Sequence, residues 1–429
     1  MKEEFLHYIW KFKLFDFKNL RTISNKTLEI ISSGLHNFDG GPDFEECKIS
    51  IDRLTWFGSV EIHVKSSDWL LHKHSEDKKY HQIILHVVYE NDRKINFFEE
   101  KNIEILELKN YIAPQVLENY KDLNQYKNDQ LLCKNFVQDI DEMKINLWKQ
   151  SHLVNRLIQK STKLLEELKS VDYNWEALFF QQMAYNFGLK PNANTFQLWS
   201  KSFPFSIYQK IQNQMINVEA LFFGQAGFFE LNFKDEYFLD LKKCYHFLQR
   251  KYNLQPISHD LFQYFRMRPI SFPTIRIAQL AAIYANYPNL FSRLIEAKSI
   301  KEVQVLLQKP IINTYWKNHY KFDTLSHDLN KNLSKSKIEN LVLNTLLPMK
   351  FAYSTYLGKD DFEDILAFYQ ELKAEKNNVT KQFENSFFEH KNAGDSQAFI
   401  QIFHDLCLAK KCLNCSVGHE SLKQNVRSF

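Results

Sequence analysis

Residues 41–65 read GPDFEECKISIDRLTWFGSVEIHVK and predict two β-strands joined by a tight turn. Stretches 44–51 and 56–65 alternate between apolar and polar side chains and are rich in β-branched residues, which is typical of strands. Asp52 and Arg53 lie between the two stretches, and so short a connection suits antiparallel strands. We therefore expect an antiparallel pair of strands here.

The sequence on both sides of this pair completes a small α/β unit. It predicts a helix over residues 3–15, a strand over 27–33, a helix over 69–80 and a buried strand over the apolar run 82–89. The order of elements is therefore α-β-β-β-α-β. Residues 95–108 are expected to add one or two edge strands.

From Pro114 onward the pattern becomes helical. Prolines separate this part into roughly eight to ten helical segments, of which the longest covers residues 143–168. We therefore predict an α+β fold with two domains. An α/β domain covers residues 1–112, and an all-α domain with a cysteine-rich C-terminal tail covers residues 113–429.

The composition excludes several classes of protein. The chain has 429 residues, of which 44% are hydrophobic and 25% charged, so wholesale disorder is excluded. A net charge of +4 is too balanced to indicate a nucleic-acid or membrane partner by itself. Neither a signal-peptide core nor an apolar run of the roughly 20 residues that span a bilayer is found, and six cysteines are too few for a disulfide scaffold. We expect a cytoplasmic protein without a membrane partner.

The strand pair carries a candidate catalytic centre. Asp43 lies at the start of the first strand, and Glu61, His63 and Lys65 lie at alternate positions of the second, so these three side chains share one face. Two carboxylates on neighbouring antiparallel strands can bind Mg²⁺ or Mn²⁺, and His63 or Lys65 can then orient or deprotonate a water molecule. The alternative is a solvent-facing strand with no chemical role.

The α-β-β-β-α-β order, with Pro42-Asp43 followed by Glu61-x-His63, resembles the restriction-endonuclease-like core of the PD-(D/E)XK nuclease superfamily. The resemblance implies that Asp43 and Glu61 bind a catalytic Mg²⁺ or Mn²⁺ and that DNA or RNA is hydrolysed. His63 occupies the position of the family's lysine, and Lys65 follows on the same face. Because inactive descendants of such folds lose that lysine, the alternative is a non-catalytic binding or scaffold protein that binds a protein partner.

A longer set of motifs covers nearly the whole chain. The strings GPDF at 41–44, GSVEIH at 58–63 and SSDW at 66–69 are followed by matches at 219–227 and 395–398. Together they look like a bacterial family of unknown function (domain of unknown function 2851). That resemblance implies a family but supplies no established biochemistry.

Histidines are concentrated in the same region. Five of them, His63, His72, His74, His81 and His86, fall within 24 residues. A zinc hydrolase would need at least three of them to converge. On the expected helix, His72 and His74 would point about 200° apart and could not readily share a metal ion. His86, on the buried strand, is expected to be satisfied by a hydrogen bond.

Three arginines in the C-terminal part are candidates for binding nucleic acid. Arg266, Arg268 and Arg276 lie near aromatic residues and could contact the phosphates of DNA or RNA. The alternative is that they pair with carboxylates of the same chain.

Three cysteines and a histidine at the C-terminus have a spacing that suits a metal. Cys407, Cys412, Cys415 and His419 could bind Zn²⁺ in a tetrahedral site, with His404 as another fourth ligand. The nuclease resemblance also implies a second option, an iron–sulfur cluster that uses a distant cysteine such as Cys133. Reduced cysteines that pack as small apolar residues are the remaining alternative.

Overall fold

The computed structural model of the chain describes residues 1–37, 39–124 and 131–425, and the chain divides into two compact units. The first unit consists of Met1–Lys149, Asn377–Glu389 and Ile402–Phe429, and the second of Gln150–Lys376 and His390–Gln401. The first unit is therefore assembled from three separate segments. The domain boundary expected between residues 112 and 113 lies inside it.

A seven-stranded mixed sheet forms the centre of the first unit. Its strands are β1 (Leu20–Arg21), β2 (Thr27–Ser32), β3 (Leu35–His36), β4 (Phe44–Ile51), β5 (Leu54–Lys65), β6 (Ile83–Glu90) and β7 (Glu104–Glu107). The order in the sheet is β1-β2-β4-β5-β6-β7, and β3 pairs with β4. The pairs from β1 to β5 are antiparallel, whereas β5, β6 and β7 are parallel. This sheet, followed by many helices, confirms the predicted α+β fold.

Along the chain, helices precede, separate and follow the strands of the sheet, and they make up most of the remaining residues. In chain order they are α1 (Glu3–Phe12), α2 (Asp68–Leu71), α3 (Asn96–Lys101), α4 (Pro114–Asn124), α5 (Glu142–Lys169), α6 (Trp175–Lys201), α7 (Phe205–Ile211), α8 (Met215–Gln225), α9 (Glu236–Tyr252), α10 (Pro273–Asn286), α11 (Leu290–Ile295), α12 (Ile300–Gln308), α13 (Lys335–Leu341), α14 (Leu347–Tyr356), α15 (Phe362–Glu371), α16 (Asn378–Glu384), α17 (Ala393–Ile402) and α18 (Ser416–Lys423). From α4 onward the described helices outnumber the roughly eight to ten segments that the prolines predicted. Many of these helices end at polar residues rather than at a proline. Within the described ranges, none of them combines the length and apolar character that crossing a bilayer requires.

The turn between β4 and β5 has the geometry that the sequence predicted. Asp52 and Arg53 both adopt left-handed backbone conformations, with φ of 45° and 71°. Two central residues with positive φ twist the chain in the sense that matches the twist of the flanking strands. The Asp52 carboxylate also accepts the N–H of Thr27 at 2.9 Å, which joins the turn to β2.

The two faces of β5 pack against different partners. Val60 and Ile62 belong to the main core of the unit, which also contains Phe5 and Ile9 of α1. Trp69 is fully buried in a smaller apolar cluster and contacts the ring of His63. The alternation along β5 therefore directs Glu61 and His63 away from the main core.

The prediction of a helix over residues 69–80 is wrong. Only α2 forms, and Lys73 then turns the chain with a left-handed φ of 59° before two short 3₁₀ turns, His74–Glu76 and Lys78–Gln82. The segment is rich in charge and lacks an apolar stripe that could bury a longer helix. Instead it is held by Trp69, whose indole N–H donates to the Ser75 hydroxyl at 2.8 Å.

Of the one or two edge strands expected over residues 95–108, the structure has one, β7. Residues 95–108 contain α3 followed by the single parallel strand β7. Phe98 of α3 is buried in the same small cluster as Trp69. The apolar side chains that suggested an additional strand therefore belong to a helix that covers the sheet.

Gly34 is the residue whose replacement tests this architecture. Its φ is +80°, and an added Cβ would lie 2.3 Å from the Glu45 carbonyl oxygen and 2.5 Å from the Cys47 sulfur. We expect Gly34→Ala to lower the free energy of unfolding by more than about 2 kcal/mol, because backbone strain and a clash with β4 add together. Urea unfolding followed by circular dichroism measures the loss.

Gly40→Ala is the matched control for that experiment. Gly40 is exposed and an added Cβ would meet only the end of the Lys79 side chain at 3.7 Å. We expect the control to change stability by less than about 0.5 kcal/mol. Equal losses in the two variants would contradict the close approach of the β2–β3 connection to β4.

Candidate functional site

The structure brings Asp43 and Glu61 together at the junction of β4 and β5. The Asp43 N–H donates to Glu61 Oε2 at 3.0 Å, and the Ile62 N–H donates to Asp43 Oδ2 at 2.9 Å. Each carboxylate is therefore held by a backbone N–H beside the other. Because the ladder pairs Phe44 with Val60, this reciprocal arrangement follows from the register of the strands.

Glu61 is buried, with only 4% of its surface exposed. Burial, and then the charge of Asp43, raises the pKa of Glu61 to about 9. In the metal-free protein this carboxyl group is therefore protonated at neutral pH. Two ionised carboxylates at this distance are stable only beside a compensating cation.

Three imidazoles lie together beside Glu61. His74 Nε2 lies 3.2 Å and His63 Nε2 lies 3.6 Å from Glu61 Oε1, and His63 Nε2 lies 3.1 Å from Nδ1 of His72. The ligand atoms of His63, His72 and His74 all lie within 4.8 Å of one another. Two of the imidazoles therefore contact the carboxylate, and His72 joins the group through His63.

The expectation that His72 and His74 point apart is wrong. They were placed on one helix, but α2 ends at Leu71 and His72 is its C-cap. The left-handed conformation of Lys73 then reverses the direction of the chain and returns His74 to the side of the sheet. There the ring of His74 stacks on Tyr80, with 3.9 Å between the ring centroids.

The buried imidazoles of the site are neutral. Burial, followed by the neighbouring His74 and His72, lowers the pKa of His63 to about 3, and burial also lowers the pKa of His74 and of His86. A neutral imidazole is the form that binds metal ions, whereas a group with so low a pKa is a weak base at neutral pH. This environment suits His63 better to a ligand than to a proton acceptor.

His86 fixes the orientation of His63. Its Nε2 lies 2.9 Å from Nδ1 of His63, within hydrogen-bond distance, because Glu61 and His86 are paired in the parallel ladder of β5 and β6. A second group that holds the far nitrogen of a histidine is a common feature of metal sites. The sequence correctly placed His86 on a buried strand but did not identify this contact.

Helix α1 adds two residues that the sequence reasoning missed. His7 Nε2 lies 3.2 Å from Asp43 Oδ2. Burial alone would lower the pKa of His7, but its bond to Asp43 and the charge of that carboxylate raise it above the ordinary value. Glu3 lies one turn earlier, and burial together with the charge of Asp43 raises its pKa. Their spacing of four residues on an amphipathic helix was the available signal.

Lys65 lies at the exposed end of β5, two residues beyond His63. Its backbone N–H donates to Asp68 Oδ2 at 2.9 Å. Asp68, the first residue of α2, therefore joins the end of the strand to the start of this helix.

Comparison with known proteins identifies the family. A family model described as "Protein of unknown function (DUF2851)" matches residues 3–378. The chain belongs to this family. The matched range includes every residue of the Asp43–Glu61 site, whereas Cys407, Cys412 and Cys415 lie beyond it. No curated protein and no solved structure is significantly similar to this DUF2851 chain.

The arginines proposed to bind nucleic acid have different environments. Arg266 and Arg268 are exposed. Arg276 is buried in α10, where it donates to Gln279 Oε1 at 2.8 Å and to the Ser271 hydroxyl at 3.1 Å. The assignment of Arg276 to nucleic-acid binding is therefore wrong, because its guanidinium is used inside the second unit.

The fourth ligand expected for the C-terminal zinc site is also misplaced. Cys407, Cys412 and Cys415 line one cavity, but His419 does not line it. His419 Nδ1 instead lies within hydrogen-bond distance of the Tyr8 hydroxyl, and burial lowers the pKa of this imidazole to about 4. Cys133 lines the cavity where the histidine was expected.

The raised pKa of Glu61 predicts how the stability of the metal-free protein depends on pH. The folded state keeps the proton up to about pH 9, whereas the unfolded state loses it near a pKa of about 4.3. Between these values the folded state binds more protons, so its stability falls as the pH rises, by up to about 1.4 kcal/mol per pH unit. We expect Glu61→Gln to remove this loss and to be more stable than wild type near pH 8 by up to about 5 kcal/mol.

Urea unfolding in the presence of a chelator, at about pH 5 and about pH 8, checks this prediction. Glu45→Gln on the exposed side of β4 is the matched control and should keep the pH dependence of wild type. If the free energies of unfolding of Glu61→Gln and Glu45→Gln depend on pH in the same way, Glu61 is not the group whose titration changes the stability.

Proposed function

We propose that the protein is a divalent-metal-dependent nuclease that hydrolyses phosphodiester bonds at the Asp43–Glu61 centre. One observation carries the proposal: Glu61 Oε1 lies 3.2 Å from His74 Nε2 and 3.6 Å from His63 Nε2, these two imidazoles cluster with His72, and Asp43 is adjacent. The order of elements in the first unit, which resembles the nuclease core, supports the reaction class.

The residues present fit a metal ion. His74 Nε2 is buried and lies 3.2 Å from Glu61 Oε1, and both atoms are of kinds that bind metal ions. A nitrogen and an oxygen at this separation can be neighbouring ligands of one ion, because each metal–ligand bond is about 2.0–2.2 Å. Because imidazole suits transition metals and Mg²⁺ prefers oxygen ligands, Mn²⁺ fits this donor set better than Mg²⁺ does.

Each residue of the site has a distinct part in the proposed reaction. Glu61, His63, His72 and His74 hold the ion, which would polarise the scissile phosphate and acidify a bound water. Asp43 lies at the edge of this group, between Glu61 and His7. His7, whose pKa is raised beside Asp43, is placed to donate a proton to the leaving oxygen. Lys65 remains the candidate for orienting the attacking water.

A DNA or RNA substrate is supported by the chemistry of the proposed reaction rather than by net charge. The exposed cations Lys65 in the first unit and Arg266 and Arg268 in the second are suited to contact phosphates. The hydrolase built on clustered histidines, with Zn²⁺ in the same site, is the second candidate because three of the histidines converge. A scaffold protein without activity is the competing class.

Metal titration and cleavage assays on matched variants test the proposal. His72→Gln is the most informative change, because His72 is exposed and its loss leaves the core intact. We expect the affinity for Mn²⁺ in calorimetry to fall by more than about 10-fold, and cleavage of single- and double-stranded DNA and RNA to be lost. Asp43→Asn should also abolish cleavage.

His81→Gln is the control for these assays. His81 belongs to the same group of histidines in the sequence, but its Nε2–H donates to the Ser75 carbonyl oxygen at 3.2 Å, away from the Glu61 group. Its loss should leave metal binding and cleavage unchanged. Wild type that binds neither Mn²⁺ nor Zn²⁺ would overturn the proposal, tight binding without cleavage would favour the scaffold, and activity with Zn²⁺ alone would favour the zinc hydrolase.

A further inference from the structure

Four cysteines of the first unit surround one cavity. Cys133, Cys407, Cys412 and Cys415 all line a space of 220 Å³, and none of them is in a disulfide. Each is only half-buried by its neighbours. Thiols from two distant parts of the chain therefore face the same space.

The thiols are close enough to influence one another. Burial raises the pKa of Cys133, and the neighbouring Cys407, Cys415 and Cys412 raise it further. The same causes raise the pKa of Cys412 to about 11, with Cys415 as the neighbour. This mutual effect indicates that the four thiols form one group around the cavity.

We infer that Cys133, Cys407, Cys412 and Cys415 bind an iron–sulfur cluster, independently of the hydrolytic centre proposed above. Four thiolate ligands, one at each corner, are the usual attachment of such clusters. On binding, each thiol gives up its proton to solvent and its sulfur bonds to an iron atom.

The size of the cavity favours a cluster over a single zinc ion. The four cysteines line a space of 220 Å³. A tetrahedral zinc ion, with Zn–S bonds of about 2.3 Å, requires sulfurs about 3.8 Å apart. A cluster of several iron atoms holds its four thiolates further apart and fills a cavity.

The surroundings of the cavity suit a cluster with net negative charge. Lys410 and Lys411 line it, together with apolar residues such as Leu131 and Leu406, and no acidic side chain is among its described lining. Burial raises the pKa of the Cys415 thiol, and the backbone N–H groups of Gly418 and Val417 in α18 oppose this rise. Hydrogen bonds to ligand sulfurs are a general means of stabilising such clusters.

Local backbone geometry also brings the cysteines to the cavity. Cys407 ends a π-helical turn, Phe403–Cys407, and such turns often occur at functional sites. Gly418 lies against the Cys412 carbonyl oxygen, where an added Cβ would be only 2.1 Å away. The absence of a side chain at Gly418 therefore lets α18 approach Cys412 closely enough for Cys415 to reach the same space.

Metal and sulfide analysis of the anaerobically purified full-length protein tests the inference. We expect iron and acid-labile sulfide in equal amounts, about four of each per chain for a cubane cluster, a broad visible absorption band, and an electron paramagnetic resonance signal after reduction. The iron content of Cys133→Ser should be at least about fivefold lower than that of wild type, because one of four ligands is removed. His419→Asn should retain it.

Cys244→Ser provides the control for the substitution itself, because Cys244 is a free cysteine of the second unit and does not line the cavity. Wild-type protein with stoichiometric zinc and no sulfide, or with no metal after anaerobic iron and sulfide reconstitution, would overturn the inference. So would iron content in Cys133→Ser equal to that of Cys244→Ser. Because wild type alone decides the first two outcomes, a folding defect in a variant cannot obscure the result, and hydrolytic activity does not enter it.

Discussion

The register of β4 against β5 is the constraint on which the first unit depends. Pairing of Phe44 with Val60 places Asp43 beside Glu61, and the parallel pairing of β5 with β6 places His86 beside Glu61 and behind His63. A slip of one residue would exchange the two faces of β5. It would move Val60 and Ile62 out of the main core and Glu61 and His63 into it. The same alternation therefore specifies both the fold and the candidate site.

The candidate site is maintained at the expense of local stability. A buried carboxyl group with a raised pKa and the ring nitrogens of buried imidazoles are each unfavourable in a folded protein. The surrounding aromatic cluster supplies compensating burial: Trp69 contacts the rings of both His63 and His74. Such a combination of strain and support is more typical of a functional centre than of a surface strand.

What could be predicted from the sequence depended on the distance over which each signal acts. The strands and the turn at Asp52 were predictable because alternation and turn residues are local. The convergence of His72 and His74 was not, because it depends on one left-handed residue, Lys73, for which the sequence offered no glycine. The contributions of His7 and Cys133, and the burial of Arg276, depend on tertiary contacts between distant segments, which periodicity does not report.

The discontinuity of the first unit has a consequence for the order of events during synthesis. Residues Met1–Lys149 leave the ribosome before Gln150–Lys376, but the unit also needs the segment that begins at Ile402. The sheet can form early, since all its strands precede residue 108. Cys133, in contrast, can meet Cys407, Cys412 and Cys415 only after the residues of the second unit that lie between them have been translated. The cavity of the first unit is therefore completed late in synthesis, well after the residues that form the sheet have left the ribosome.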